Sequence, residues 1–240
     1  MRSAPTVVLI PGLAADGAMW AAQCAALAPV CDVRVSDVHF KCESLPAMAA
    51  ALLAAHPGPL VLCGASMGGI VALEAVAQAP DRVQGLALLG TTARPDTPEI
   101  AALRAAAFAA IEDGRFEEMI AANVPFSFHA DRLADAPLVG AYLDMLRRAG
   151  AAELVRQNIA IAARADRRAL LAAIRCPTLV LCGDADVVTT VDASREIAAG
   201  IADAEFTLIE RCGHMLTMER PREVNAALLR WLAGLSRPRH

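Results

Sequence analysis

The stretch Leu60–Glu74, which reads LVLCGASMGGIVALE, decides the fold of this chain. It opens with a continuous apolar run that predicts a buried strand, and an apolar helical pattern begins at Met67. Between them, Gly64, Ser66 and Gly68 form a GxSxG pattern, typical of a serine exposed on a sharp strand-to-helix turn. Glycines are expected there because strand and helix approach too closely for a Cβ atom. The stretch therefore predicts a nucleophilic Ser66; the alternative is a glycine-rich turn with an incidental serine.

Strand-like and helix-like stretches alternate on both sides of this turn. The strand-like runs are continuously apolar, as is typical of parallel strands that are covered on both faces. This alternation predicts an α/β fold with a mostly parallel, doubly wound sheet. The predicted strands are 6–10, 32–36, 60–63, 85–89, 178–182 and 205–209. The predicted helices between them are 17–27, 45–55, 67–78, 191–201 and 221–232.

One long segment, 94–174, interrupts the alternation because it contains no strand pattern. Residues 97–99, Thr-Pro-Glu, have the N-cap, first-turn proline and early acid of a helix start. This helix is expected to run to about residue 113, and further helical patterns lie at 116–122, 138–149, 152–163 and 167–174. We predict an inserted helical cap at 94–174 on an α/β core formed by 1–93 and 175–240.

The composition argues against several classes of function. The chain is 56% hydrophobic and 20% charged, which is typical of a globular protein, and its net charge of -4 comes without a basic stripe for nucleic acid. The apolar run at 7–10 is too short for a signal peptide or a membrane span. The seven cysteines lack the spacing of a disulfide framework or a zinc site, so we expect a cytoplasmic protein with reduced cysteines.

A serine nucleophile needs an adjacent base, and the base needs an orienting group. Asp184 and Asp186 follow the strand predicted at 178–182, and His214 follows the strand predicted at 205–209. Residues that follow parallel strands meet at the carboxyl edge of the sheet, where α/β folds place their sites. The pattern therefore predicts a serine, acid and histidine constellation, in that chain order.

Four other histidines compete with His214. His39 lies in a predicted loop, His56 at the end of a predicted helix and His240 at the terminus. His129 lies in the predicted cap, where it is a candidate for lining a substrate pocket. Among the five, His214 alone follows a late strand, which favours it as the base.

These residues resemble the α/β-hydrolase superfamily over nearly the whole chain. Segment 64–69 resembles the nucleophile elbow, segment 183–186 the acid loop and segment 213–214 the histidine loop. In the family the acid is the third residue after the glycine of the acid loop, so the resemblance assigns Asp186. Asp184 is then expected to hydrogen-bond the backbone of its own turn.

The resemblance also implies an oxyanion hole. Segment 10–13, IPGL, resembles the first oxyanion loop, with Pro11 where the family usually has histidine. That histidine does not transfer protons, so we expect altered packing and intact chemistry. The backbone N–H groups of Leu13 and Met67 are the implied oxyanion donors.

Within the superfamily, the compact length and the predicted cap are most similar to carboxylesterases, 3-oxoadipate enol-lactonases and haloperoxidase-like hydrolases. Ser66 stands where haloalkane dehalogenases and epoxide hydrolases carry aspartate. The resemblance implies hydrolysis of a small carboxylic ester or lactone through an acyl-enzyme, with Ser66 as nucleophile, His214 as base and Asp186 as acid. No metal or organic cofactor and no nucleic-acid or membrane partner is expected.

Two alternatives stay open at this point. Phe126, Phe128 and His129 are candidates for the substrate pocket, but the phenylalanines also suit the core of the predicted cap. The whole protein could also be a small-molecule receptor that uses the same fold without turnover. An intact serine, acid and histidine set argues against a purely binding role, because binding alone does not need all three.

Overall fold

Six parallel strands form one sheet in the computed structural model, which describes residues 6–235. The strand order across the sheet is β2-β1-β3-β4-β5-β6, and each neighbouring pair is parallel. The strands are β1 (Thr6–Ile10), β2 (Asp32–Val35), β3 (Leu60–Ala65), β4 (Val83–Leu89), β5 (Thr178–Gly183) and β6 (Glu205–Ile209). The predicted α/β fold with a parallel sheet is therefore confirmed, and every predicted strand is present.

Helices connect the strands and cover the sheet. They are α1 (Ala21–Leu27), α2 (Leu45–Ala55), α3 (Met67–Gln78), α4 (Pro98–Glu112), α5 (Phe116–Ala122), α6 (Val124–Ser127), α7 (Ala136–Ala162), α8 (Arg168–Leu171), α9 (Val191–Gly200), α10 (Leu216–Glu219) and α11 (Pro221–Leu235). Short 3₁₀ turns lie at Gly17–Trp20, Val38–Phe40, Pro80–Arg82 and Ala130–Arg132. None of the helices within residues 6–235 is both long and apolar enough to cross a membrane.

The core lies on both faces of the sheet because strand side chains alternate between the faces. Val7 and Leu9 of β1 belong to one apolar cluster, which also holds residues of α1 and α11. Val8 and Ile10 belong to the other cluster, with residues of α2, α3 and α9. All four of these strand side chains are buried, as expected for a strand covered on both sides.

The chain between β4 and β5 is helical, and we call its part Pro98–Leu171 the helical segment. Its first helix starts where the sequence predicts, because the Thr97 side chain accepts a hydrogen bond from the Ile100 N–H. The helices predicted at 138–149 and 152–163 form the continuous element α7, which is broken at Gly150 by a φ of 83° and a ψ of 166°. That residues 94–174 form an inserted cap on the core stays a prediction.

Candidate active site

Ser66 lies at the turn between β3 and α3 in a strained backbone conformation. Its φ is 52° and its ψ is -118°, a region that costs a residue with a side chain about 1–3 kcal/mol. The Ser66 N–H donates to the Leu89 carbonyl oxygen at 2.9 Å, and the Thr91 hydroxyl donates to the Ser66 carbonyl oxygen at 2.7 Å. The end of β4 and its following loop therefore hold the turn in place.

The glycines on either side of Ser66 are required by close packing. A Cβ atom at Gly64 would collide with the backbone of Gly68, and a Cβ atom at Gly68 would collide with the carbonyl of Ile10. The sequence predicts this close approach of strand and helix, and the structure confirms it.

Ser66, His214 and Asp186 come together in one hydrogen-bonded chain. Ser66 Oγ lies 2.9 Å from His214 Nε2, and His214 Nδ1 lies 2.9 Å from Asp186 Oδ2. The histidine side chain is 9% exposed and the aspartate side chain is 0% exposed. A carboxylate only accepts hydrogen bonds, so Nδ1 carries the proton and Nε2 is left to accept from the serine hydroxyl.

Asp186 is buried as a carboxylate because its oxygens are well supplied with donors. Oδ1 accepts from the N–H groups of Val188 and Thr189, both at 2.9 Å, and Oδ2 accepts from the Thr189 hydroxyl at 2.9 Å. Burial opposes the charge, but the charge of His214 and these hydrogen bonds outweigh burial and lower the pKa of Asp186. Asp186 is therefore ionised at neutral pH.

The pKa of His214 shifts in the opposite direction to that of Asp186. Burial alone would lower its pKa, but the charge and hydrogen bond of Asp186 outweigh burial and raise the pKa above its ordinary value. The Thr189 hydroxyl also lies 3.3 Å from His214 Nδ1, so it contacts both members of the pair. The sequence does not single out Thr189; a hydroxyl residue three positions after the acid is the local signal that could have indicated it.

Asp184 joins two loops of the site. Its Oδ1 accepts a 3.0 Å hydrogen bond from the Cys212 N–H, beyond its own turn and in the loop that carries His214. Because β5 and β6 are neighbouring parallel strands, the loops that follow them lie side by side. The expected local role of Asp184 therefore extends to the histidine loop.

The two segments that carry the implied oxyanion donors, Leu13 and Met67, both adjoin Ser66. A Cβ atom at Gly12 would lie 3.4 Å from Ser66 Cβ, so the turn that contains Leu13 lies directly against the serine. Met67 follows Ser66 as the first residue of α3, where a backbone N–H has no partner inside the helix. The positive end of the helix dipole also favours a developing negative charge there.

The three candidate pocket residues differ in their surroundings. Phe128 is 3% exposed and packs edge-on against Tyr142, with ring centroids 5.3 Å apart, whereas Phe126 is 58% exposed. The His129 imidazole accepts a 3.1 Å hydrogen bond from the Asp131 N–H. Phe128 thus has the environment of a core residue, and a pocket role for the three residues stays a prediction.

A buried glutamate connects the helical segment to the histidine loop. Glu219 is 2% exposed, and its carboxylate accepts from the His129 N–H at 2.6 Å and from the Gly213 N–H. Gly213 precedes His214, so Glu219 holds the backbone next to the histidine. The sequence gives little sign of this role, because glutamate is ordinarily an exposed residue.

Residues 32–221 match the model of a known family, described as serine aminopeptidase, S33. This match spans more than half of the chain, and it includes the Ser66, Asp186 and His214 constellation. The chain belongs to this α/β-hydrolase family. It is therefore an enzyme of the serine-hydrolase type.

Relatives of this α/β-hydrolase are named for several hydrolytic reactions. A pimeloyl-[acyl-carrier protein] methyl ester esterase from Chromobacterium violaceum is 30% identical, with 93% of this chain and 92% of the relative covered. A putative carbamate hydrolase, RutD, from Caulobacter is 26% identical, with 95% and 91% covered.

Solved structures of hydrolases share the same fold. An esterase from Thermogutta terrifontis has a TM-score of 0.87 and 27% identity, with 98% of this chain and 92% of the other covered. An enol-lactonase from Burkholderia xenovorans has a TM-score of 0.81 and 27% identity, with 97% and 94% covered. The α/β-hydrolase thus aligns with these proteins along nearly its whole length.

Proposed function

We propose that this α/β-hydrolase cleaves a small carboxylic ester or lactone through an acyl-enzyme on Ser66. The observation that carries the proposal is the chain of two 2.9 Å contacts from Ser66 Oγ through His214 to Asp186. A serine hydroxyl becomes an effective nucleophile when a correctly oriented imidazole takes its proton. The named activities of the relatives, a methyl ester esterase and an enol-lactonase, support the substrate class.

The first half-reaction acylates the enzyme. Ser66 Oγ attacks the carbonyl carbon of the substrate while its proton passes to His214 Nε2. Asp186 stabilises the imidazolium that forms, because its carboxylate stays ionised at Nδ1. When the tetrahedral intermediate collapses, the alkoxide leaves with the proton from Nε2, and the acyl group remains on Ser66.

The second half-reaction returns the enzyme to its starting state. Water gives a proton to His214 Nε2 and attacks the acyl carbon, and collapse of the second intermediate releases the carboxylic acid and restores the Ser66 hydroxyl. In both steps the carbonyl oxygen becomes an oxyanion. We assign its stabilisation to the backbone N–H groups of Leu13 and Met67.

We further propose that the helical segment covers the site as a cap and admits a small-molecule substrate. Its contacts support this position: the Met215 N–H donates to the Ser127 carbonyl oxygen at 3.0 Å, and the His129 N–H donates to Glu219. Met215 directly follows His214, and Glu219 also accepts from the N–H of Gly213, which precedes His214. A segment fixed there can shape the space above Ser66 and so select the acyl or alcohol part of the substrate.

The experiment that tests the proposal combines turnover with labelling. Purified protein should hydrolyse p-nitrophenyl acetate or butyrate, or a member of a panel of lactones and enol-lactones. A fluorophosphonate should modify Ser66, detected by mass spectrometry of the peptide, and the Ser66→Ala variant should neither turn over nor be labelled. Tight binding of an unmodified ligand with neither turnover nor labelling would show a receptor instead.

A further inference from the structure

The side-chain amide of Gln157, in the second half of α7, lies against the turn that follows β1. Gln157 is fully buried, and its Oε1 accepts a 2.7 Å hydrogen bond from the Ala14 N–H. Ala14 is also buried, and its φ of 52° is in the left-handed region that disfavours a residue with a side chain. Ala14 directly follows Leu13, so the helical segment reaches the backbone one residue from a proposed oxyanion donor.

The amide of Gln157 has one orientation in this environment. While Oε1 faces the Ala14 N–H, Nε2 donates to the His39 carbonyl oxygen at 3.2 Å and to Glu153 Oε2 at 3.1 Å. A flipped amide would set N–H against N–H on one side and oxygen against oxygen on the other. Hydrogen bonds at both Oε1 and Nε2 therefore fix the orientation of the Gln157 amide.

His39 holds the same turn through a second hydrogen bond. Its Nε2 lies 2.7 Å from the Ala15 carbonyl oxygen, which only accepts, so Nε2 carries the proton. Burial lowers the pKa of His39, despite this hydrogen bond, and keeps the ring neutral. Two side chains therefore hold the turn: Gln157 accepts from the Ala14 N–H, and His39 donates to the Ala15 carbonyl oxygen. The amide of Gln157 also donates to the backbone carbonyl of His39, which links the two.

We infer that Gln157 is a positioning residue for the oxyanion hole, an inference that rests on the proposed ester hydrolysis. By accepting from the Ala14 N–H, Gln157 holds the peptide unit between Leu13 and Ala14, and so restrains the backbone of Leu13, whose own N–H is the proposed donor. Hydrogen-bond donors of this kind act because they are oriented before the charge develops, and small displacements weaken them strongly. The helical segment then contributes to the chemical step in addition to any contact with the substrate.

The test compares two buried amides that are neighbours on α7. Gln157→Met keeps the length of the side chain but removes the hydrogen bonds to Ala14 and His39. Asn158→Leu is the matched control, because Asn158 is also buried but bonds Arg104 and Leu154 and no residue of the turn. For each variant we would measure kcat and KM, and the Ki of a trifluoromethyl ketone, which forms a tetrahedral oxyanion on the serine.

Gln157→Met should lower kcat and weaken ketone binding in parallel, by about 10- to 100-fold, while KM changes by less than about threefold. The acid limb of the pH profile should not move, since the His214–Asp186 pair is untouched. Asn158→Leu should keep kcat and ketone affinity even if its Tm falls. A Gln157→Met variant with wild-type ketone affinity, or one that loses activity in the same way as Asn158→Leu, would overturn the inference.

A second variant guards against a Gln157→Met protein that does not fold. Gln157→Asn keeps a side-chain amide but is one methylene shorter, so its oxygen no longer reaches the Ala14 N–H. Its ketone affinity should also fall by at least about 10-fold at unchanged KM, and unchanged affinity would refute the inference. If the wild-type protein neither turns over esters nor is labelled at Ser66, the proposed function itself has failed, and the inference falls with it.

Discussion

The hydroxyl of Thr91 is hydrogen-bonded to the backbone carbonyl of Ser66, at 2.7 Å. Thr91 lies in the loop that follows β4, the strand next to β3, so this loop helps to fix the strained turn that exposes the serine. Strained backbone persists only where its surroundings over-determine it, and the Thr91 hydroxyl supplies one of the few contacts that do so here.

Thr91→Val should therefore lower kcat by about 10-fold while leaving KM nearly unchanged, because it keeps the volume of the side chain and removes the donor. Thr91→Ser, which retains the hydroxyl, should stay close to wild type. Thr92→Val is the control in the same loop, since the Thr92 hydroxyl bonds the Arg94 N–H and not the serine. Equal kcat values for Thr91→Val and Thr92→Val would contradict this role.

Ser66→Ala should abolish ester hydrolysis and leave the fold intact. The expected fall in kcat is on the order of 10⁴–10⁶, the loss typical when a member of such a triad is removed. Steady-state kinetics and the circular dichroism spectrum measure the two effects separately. Near-normal kcat in a folded variant would rule out Ser66 as the nucleophile.

Substitution of the two aspartates of the acid loop should have different effects, one on the catalytic rate and the other on thermal stability. Asp186→Asn should leave His214 in the wrong tautomer and lower kcat by about 10⁴, with little change in folding. Asp184→Asn should chiefly lower the Tm, because it weakens the link to the Cys212 N–H. The measurements are kcat at neutral pH and thermal unfolding for both variants; loss of turnover in Asp184→Asn alone would mean that the acid is misassigned.

The activity should depend on the protonation of His214. The base must be neutral to accept the serine proton, so kcat/KM should fall as the pH drops through the histidine pKa. Asp186 raises this pKa above the ordinary 6.5, so the acid limb should lie above that pH. In Asp186→Asn, His214 stays buried but loses the neighbouring carboxylate, so its pKa should fall. The acid limb of the residual activity should therefore shift to lower pH. A limb at the same pH in both proteins would exclude His214 as the titrating base.

The two phenylalanines predicted to line the pocket should behave differently. Phe128→Ala should destabilise the protein by about 3–5 kcal/mol, because the ring is 3% exposed and packs on Tyr142. Phe126→Ala, at 58% exposure, should leave the Tm unchanged and alter kcat/KM for long relative to short acyl chains, by about 10-fold or more if the ring lines the pocket. If kcat/KM changed equally for all acyl chain lengths, Phe126 would not be a pocket residue.

The sheet and the constellation around Ser66 were predictable because their signals are local. A buried parallel strand is a continuous apolar run, and α3 has the predicted bounds, since glycines and an apolar helix define the turn at Ser66. Likewise, Asp186 and His214 each follow a strand, and parallel strands bring such residues to one edge.

The supports around the site were not predictable, because each depends on a partner that is distant in sequence. Gln157 bonds the backbone of a residue 143 positions away, and no local pattern in α7 marks it. Glu219 resembles an ordinary surface acid, and its burial follows from how the helical segment docks. The sequence marks the break at Gly150 only as a gap between two predicted helices, because a single positive φ leaves the helical periodicity on both sides intact.

The pairing of β4 with β5 has a consequence for how this enzyme can change. The chain leaves the sheet after β4 and re-enters it at the adjacent strand β5, and none of Ser66, Asp186 and His214 lies between the two strands in the sequence. A segment from a related hydrolase can therefore replace the chain between β4 and β5 while the nucleophile, base and acid stay in the recipient's own sequence. A graft that also offers a backbone N–H to Glu219 would keep the support of the backbone next to His214. Such chimeras should inherit the substrate range of the donor, and the best of them should be those in which the graft again presents an amide to Ala14.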